Sequence, residues 1–435
     1  MQYNALDMNK RCRTSLVLCV LLLSACIPAN ETNGPATPTS TPFGEIQTAT
    51  LTESSQAADQ ILYIWLAPAF DPDNGSQAGE LLQERLADFA NRNPGVEIEV
   101  RIKAESGAGG LYQSLAAASI TAPSVLPDII ALNPVALQRA ASEELIVPLE
   151  QYLEAPSSPA WYDHTISISR VEGTMFGQPF ASDTIILAYR TFLFQTSPLT
   201  WSEILAGPDS FLFPANDPQA KFTLAQYLAL GGSLVDESGN PQIDPIVLTE
   251  ILSFYSSAKS SNILSTAALQ YSSATETWQA LGSERATSAA APLSEFLVES
   301  DLRTYSAVPV PTQSEPGTGL AKTWSWAIVN NDPDQQELAA ELIDWLTQPE
   351  FLGPWTHALG MLPPTTLALS QWPEGPETSL ASSLVTIVQP DITAEMFEIV
   401  GTAIHHAVIA VIRDGVKPSN AAVDAAQSIT SIETE

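Results

Sequence analysis

The chain has 435 residues, with 49 Asp plus Glu against 17 Lys plus Arg and a formal net charge of −32. This excludes a nucleic-acid partner, because phosphate contact needs a basic patch and so acidic a surface repels polyanions; the acid serves solubility. At roughly 100–200 residues per domain the length implies two domains plus short extras, and the only cysteines, Cys12, Cys19 and Cys26, leave the body without a disulfide or a thiol catalyst.

Lys10, Arg11 and Arg13 precede an apolar run from Ser15 to Ala25. That run is shorter than the ~20 residues a membrane-spanning helix needs, so residues 1–25 read as a secretory signal. Leu23-Ser24-Ala25-Cys26 has the shape of a bacterial lipobox, which makes Cys26 the expected lipidation site and new N-terminus. Residues 26–60 repeat Thr, Ser and Pro and carry no basic residue. Such a segment buries too little apolar area to order itself. It is expected to be a disordered tether, with a reach on the order of 30 Å if it is a flexible coil.

Folded structure is expected from Ile61 to Leu66, a continuous apolar run suited to a strand buried on both faces. A helix over about Ala78 to Asn91 follows, with Leu82, Leu86 and Phe89 on one stripe, and Asn93-Pro94-Gly95 ends it. Val96, Ile98, Val100 and Ile102 then alternate with charged residues, the pattern of a half-exposed strand. A helix near Leu111 to Ser119 leads to a third strand at Pro127 to Leu132, and Asn133-Pro134 opens the next helix with Asn at the N-cap and Pro at N1. Strand and helix in alternation predict a largely parallel sheet, whose ligands gather beyond the carboxyl ends of its strands. Here those ends are Trp65 to Asp71, Ser106 to Gly110 and Asn133.

Gly173 to Leu205 organises the rest of the chain. Gly173, Gly177 and Pro179 approach the apolar run Ile185 to Tyr189, a buried-strand pattern, and Thr200 with Glu203 forms a capping box ahead of Trp201. Beyond it, helices are expected at Phe222 to Leu230, Pro245 to Ala258 and Glu276 to Leu281, with a loop at Asp236 to Pro241. Val308 to Pro311 and Lys322 to Val329 read as extended, helices open at Asp332-Pro333 and Gln348-Pro349-Glu350, and Met396 to Val411 carries a long core-facing stripe.

The order G-x-x-F-G-x-P, polar residue, apolar strand ending in Tyr189, then P-x-T-W-x-E resembles the first crossover of family 1 extracellular solute-binding proteins, receptors of ABC-type importers. The F-x-x-x-N-P-G-V helix end, the P-D-I-I strand and the T-Q-P-E helix pair followed by G-M-L-P-P resemble the same family, over nearly all of Ile61 to Ile429. Glu144 replaces its usual Gly and Arg190 its usual Asn. The resemblance implies an α/β, two-lobed periplasmic-binding-protein-like fold of type II, each lobe a mostly parallel sheet flanked by helices, joined by a hinge of several crossing segments. Its expected lobes are residues 61–183 plus 325–370, and 184–324 plus 371–435.

No P-loop, G-x-S-x-G or H-E-x-x-H motif is present, and Ser256-Ser257-Ala258-Lys259 lacks the companions of an S-x-x-K enzyme. His405 and His406 are adjacent, so on a helix they point about 100° apart and form no i, i+4 metal pair. No metal or cofactor is expected. Tryptophans do stand where strands end: broad apolar faces beside hydrogen-bonding groups suit sugar rings. The expected ligand contacts are Trp65, Phe70, Asp71, Asn133, Asp183, Tyr189, Trp324 and Trp326; Asp183 and Tyr189 come from the resemblance, Phe70 and Asp71 from position alone. For each aromatic the alternative is core packing, for Asn133 a helix cap, and for Asp183 a bond to the hinge backbone. Two functions stay open: a lipid-anchored monomeric receptor that hands a carbohydrate to the permease subunits of an ABC importer, and a membrane-anchored extracellular hydrolase acting on glycans. Replacing Cys26→Ser is expected to release the protein from the membrane fraction with its folded body unchanged; retention of the variant after a carbonate wash would refute the anchor.

Overall fold

Branched apolar residues stay buried on both faces of a strand only when helices cover both sides of its sheet, and this decides the first third of the chain. The computed structural model describes residues 60–432 except 209, 315, 316 and 331. The expected signal, Cys26 and the tether as far as residue 59 lie outside the described residues, while Gln60, expected to end the tether, already opens the first strand. β1 (Gln60–Leu66) pairs in parallel with β2 (Val96–Ile102) and with β3 (Ile129–Leu132), Leu62 facing Ile98 and Ile64 facing Ile129. The crossovers carry α1 (Gln77–Arg92), capped by Ser76, and α2 (Leu111–Thr121). α3 (Pro134–Ser142) opens on the expected Asn133 cap.

After the short hairpin of β4 (Arg170–Val171) and β5 (Thr174–Met175), β6 (Gln178–Asp183) passes through Thr184 directly into β7 (Ile185–Arg190). β6 completes the first sheet and β7 sits inside the second, whose order is β10 (Tyr305–Val308), β7, β9 (Ser288–Pro292), β8 (Phe211–Leu212). β11 (Leu320–Ile328) returns to the first sheet, antiparallel to β3 and β6 and parallel to β12 (Gln389–Pro390). Both sheets are therefore mixed: parallel pairings outnumber antiparallel ones in the first, as expected, whereas the second is mostly antiparallel. In the second, β9 and β10 run the same way and are linked by the helix Leu293–Glu299, so β7 between them is antiparallel to both.

Each sheet has its own core. The first gathers Leu62, Ile64, Leu82, Ile130, Phe180, Trp326 and Trp355; the second gathers Ile186, Trp201, Phe254, Tyr255, Ala290 and Ile404. β11 serves both, with Leu320 and Ala321 in the second core and Trp324 and Trp326 to Ile328 in the first. The helical stretch Ala394–Ile412 is long and apolar enough to cross a bilayer. Its stripe of Val400, Ile404, Val408 and Val411 is spent on the second core, as the sequence periodicity predicts, and Phe397 joins it there.

Where β6, β11 and the helix Asp163–Ile168 meet, three buried polar side chains form a chain. The Ser182 and Thr323 hydroxyls lie 2.7 Å apart, and Ser182 Oγ is 3.3 Å from His164 Nε2. His164 is 2% exposed and its Nδ1 has no partner. Burial pushes its pKa down to about 4, against roughly 6.5 in an unfolded chain. The folded state thus binds fewer protons than the unfolded one below pH 6.5, so stability is complete above that value and falls as the pH drops towards 4. The loss attributable to this imidazole is about 3 kcal/mol by pH 4. Urea unfolding at pH 7 and at pH 4.5 should show a smaller pH penalty in His164→Gln than in the wild type; equal penalties would place the acid sensitivity elsewhere.

Candidate functional site

Beyond the carboxyl ends of β1, β2 and β3, the first core presents three loop ends. Asn133 caps α3 by accepting from the Ala136 N–H at 3.0 Å, which leaves Pro134 and Val135 facing outward. After β2 the loop is closed by the Ala104–Gly110 bridge and turns through Gly107 and Gly109 at φ of 75° and 82°. That turn carries Glu105. From the second core comes the loop Asp217 to Lys221. The Asp217 carboxylate accepts the Gln219 and Lys221 N–H groups, both at 3.0 Å, and Ala220 is held at φ 49°. Between them stands the crossing strand with Lys322, and the short pairing of β12 with β11 delivers Asp391.

These residues line a groove made of two adjoining cavities of about 280 and 320 Å³ that share Pro134, Val135 and Asp391. Two ion pairs stand in it, the first spanning from the crossing strand to the first core's loop and the second lying on the second core's side. Lys322 Nζ lies 3.1 and 3.3 Å from the Glu105 oxygens, and Lys221 Nζ lies 3.0 Å from Asp391 Oδ2 and 4.7 Å above the Phe397 ring. The first pair is a third or more exposed and adds at most about 1 kcal/mol. The Asp391 side chain is only 4% exposed, and its Oδ1 has no hydrogen-bond partner. Tyr112 donates to Glu143 at 2.5 Å, and that bond, with some burial, raises its pKa, keeping the phenol a neutral donor on the groove wall. Among the described residues no cluster of His, Cys, Asp or Glu is arranged to hold a metal ion. The arrangement can hold a polar molecule by charge-assisted hydrogen bonds.

Of the residues expected from the sequence, the structure brings Asn133 to this groove. Trp324 and Trp326 are 1% and 0% exposed, inside an aromatic cluster with Phe70, Phe180 and Trp355; Phe180 stacks on Trp326 at 4.4 Å and Phe70 meets Trp324 edge-on at 5.1 Å. Trp65 is equally interior, capped by Lys103 Nζ at 4.6 Å. The strand-end position is real, but period two turns these rings inward, where burial of their large faces dominates. Asp71 accepts from the Asp73 N–H in a local turn. Tyr189 lies in the second core, its hydroxyl 2.8 Å from Ser197 Oγ. Asp183 bonds the crossover itself: it accepts from the N–H groups of Thr184 and Ser294 and, at 2.6 Å, from the Ser294 hydroxyl.

Glu105, Lys221, Lys322 and Asp391 were not anticipated. For the lysines a signal existed: bases are scarce in this chain, and Lys322 opens the crossing segment. For Asp391 none did, since its place depends on a two-residue pairing with β11. Trp324→Ala should lower the unfolding free energy by about 3–5 kcal/mol, the cost of emptying a packed aromatic site. A loss below 1 kcal/mol accompanied by weaker ligand binding would return this ring to the ligand wall.

A family model described as bacterial extracellular solute-binding protein matches residues 84–378. No curated relative matches the chain. Among solved structures, the cyclic alpha-maltosyl-1,6-maltose binding protein of Arthrobacter globiformis aligns with TM-score 0.69 at 15% identity, over 86% of this chain and 98% of that one. The sugar-binding protein MalE of Xanthomonas citri aligns with TM-score 0.68 at 20% identity, over 86% and 97%. An ABC transporter solute-binding protein of Thermotoga lettingae, bound with alpha-D-tagatose, gives TM-score 0.66 at 17% identity, over 86% and 99%.

Proposed function

Because this chain belongs to the family of bacterial extracellular solute-binding proteins, we propose that it is the substrate receptor of an ABC importer and captures a carbohydrate in the groove between its two cores. Members of this family are extracytoplasmic receptors that bind a solute without transforming it, so this protein is a receptor and not an enzyme. The observation that carries the carbohydrate reading is the groove itself, into which both cores and the crossing strand send hydrogen-bonding side chains. The sugar ligands named for the similar structures support it. In this proposal the protein is a monomer held to the cell membrane through lipid on Cys26, and it delivers its ligand to the permease subunits. The lobes are residues 61–183 plus 325–370 and residues 184–324 plus 371–435, with Asn133 among the ligand contacts.

The mechanism follows from the crossings at Asp183 to Ile185 and along β11. Segments that belong to both cores can bend while each core stays packed. A ligand touching both sides shifts open towards closed only by as much as it prefers the closed form. A micromolar ligand has about 8 kcal/mol of binding free energy in all, enough to overcome an open-state preference of a few kcal/mol. The right sugar, found by a thermal-shift screen, should reduce the radius of gyration in solution scattering and be recovered intact. An unchanged scattering curve would defeat closure, and a cleaved sugar would revive the hydrolase.

A further inference from the structure

The chain has nine tryptophans, and none of them lines the groove. Seven are buried: Trp65, Trp201, Trp278, Trp324, Trp326, Trp355 and Trp372. Trp345 is covered by Arg85, whose guanidinium carbon sits 3.4 Å from the ring centre, and Trp161 lies at a different cavity. The groove's two rings are already engaged. Phe397 is 2% exposed beneath Lys221, and Tyr112 holds Glu143 through its hydroxyl with Arg139 5.9 Å from its ring centre. A glucan chain gains affinity with length when each added ring finds an apolar face to lie on. Here there is no such row of faces.

What the groove offers instead is concentrated at one place. Lys221 and Lys322 each spend donors on a carboxylate and keep others, since an ammonium has three. Their partners hold them in position. Asp391 Oδ1, almost wholly buried and without a partner, is an acceptor left waiting for a donor, and such atoms are rare in folded proteins because burial without a bond costs free energy. The adjoining cavity is walled by Leu137, Ile168, Val171 and Ile392, and its Arg170 is bound to Glu150 and the Gly173 carbonyl. Gln138, Ser142, Ser167, Glu172 and Thr393 also line it, but no aromatic ring does, so a second or third sugar ring finds no face to stack on there. The polar cavity of about 280 Å³ stands near the lower end of the ~300–1,000 Å³ usual for ligand sites.

We infer that this groove takes one small, hydroxyl-dense sugar or polyol, no larger than a disaccharide, gripped by the two lysine–carboxylate pairs, and that Asp391 selects it by accepting one of its hydroxyl protons in a hydrogen bond. The inference rests on the carbohydrate reading of the groove and narrows it. It separates this receptor from one built for maltodextrins.

The test is calorimetric titration of the full chain with pentoses, hexoses including D-tagatose, hexitols and disaccharides, alongside maltotriose and maltotetraose. The expected result is binding by a member of the small set, with the two longer glucans no tighter. Asp391→Ala should then weaken the best ligand by about tenfold or more, and Asp391→Asn by less, because a site built around a ligand hydroxyl discriminates strongly. Thermal melting of both variants shows whether the fold survives. Affinity that rises with each glucosyl unit, or unchanged affinity in both Asp391 variants, overturns the inference and leaves the carbohydrate reading standing. Binding by no saccharide in the panel overturns both.

Discussion

One strand has to satisfy two cores at once. β11 gives Leu320 and Ala321 to the second core and Trp324 and Trp326 to the first, and its pairing register with β6 shifts between Trp324 and Ser325. Lys322 falls between these two commitments, opposite Asp183 in the ladder. A side chain at that position belongs to neither interior, so a charged one is tolerated, and it is there that the polar groove opens. The buried hydroxyl pair of Ser182 and Thr323 ties β6 to β11 at the next step. The seam is therefore hydrogen-bonded and narrow, while the packing on either side is thick.

The allocation of aromatic rings follows from the same geometry. Inward-facing positions on β6, β11 and the helix Pro349–Leu359 put Phe180, Trp324, Trp326 and Trp355 together. Stacking and edge contacts of this kind add to the burial of large apolar faces, and they stiffen the first core next to the seam. The groove is left to charge and hydroxyl chemistry. In a chain with a net charge of −32, two of the few lysines stand in it, each neutralised by a carboxylate.

Backbone irregularity collects on the second core's side of the groove. Ala220 adopts a left-handed conformation directly before Lys221, which for a residue with a Cβ costs roughly 1–2 kcal/mol. Asp217 holds it there with two accepted N–H bonds. Across from it the helix carrying Phe397 makes one π turn, Phe397–Gly401, and comes so close that a Cβ on Gly401 would lie 2.8 Å from the Gln219 carbonyl. Strain and π turns recur at functional sites, and here both serve to place Lys221 over Phe397.

Local chemistry alone was enough to read much of this protein. The apolar run at Ile61 to Leu66, the alternation from Val96 to Ile102, the Asn133 cap, the capping box of Thr200 and Glu203 and the stripe from Met396 to Val411 all stand where their patterns put them, because burial periodicity and end-capping are settled within a few residues. The order of these elements also set the α/β class. What only the tertiary structure decided is the direction of β7 between β9 and β10, the inward turn of Trp65, Trp324 and Trp326, and the meeting of Glu105, Lys221, Lys322 and Asp391. A tryptophan at a strand end looks the same in the chain whether its ring faces a ligand or a neighbouring helix, and residues far apart in sequence have no local interaction to announce that they will share a groove. Their proximity comes from long-range strand pairing, which the sequence specifies only through the whole fold.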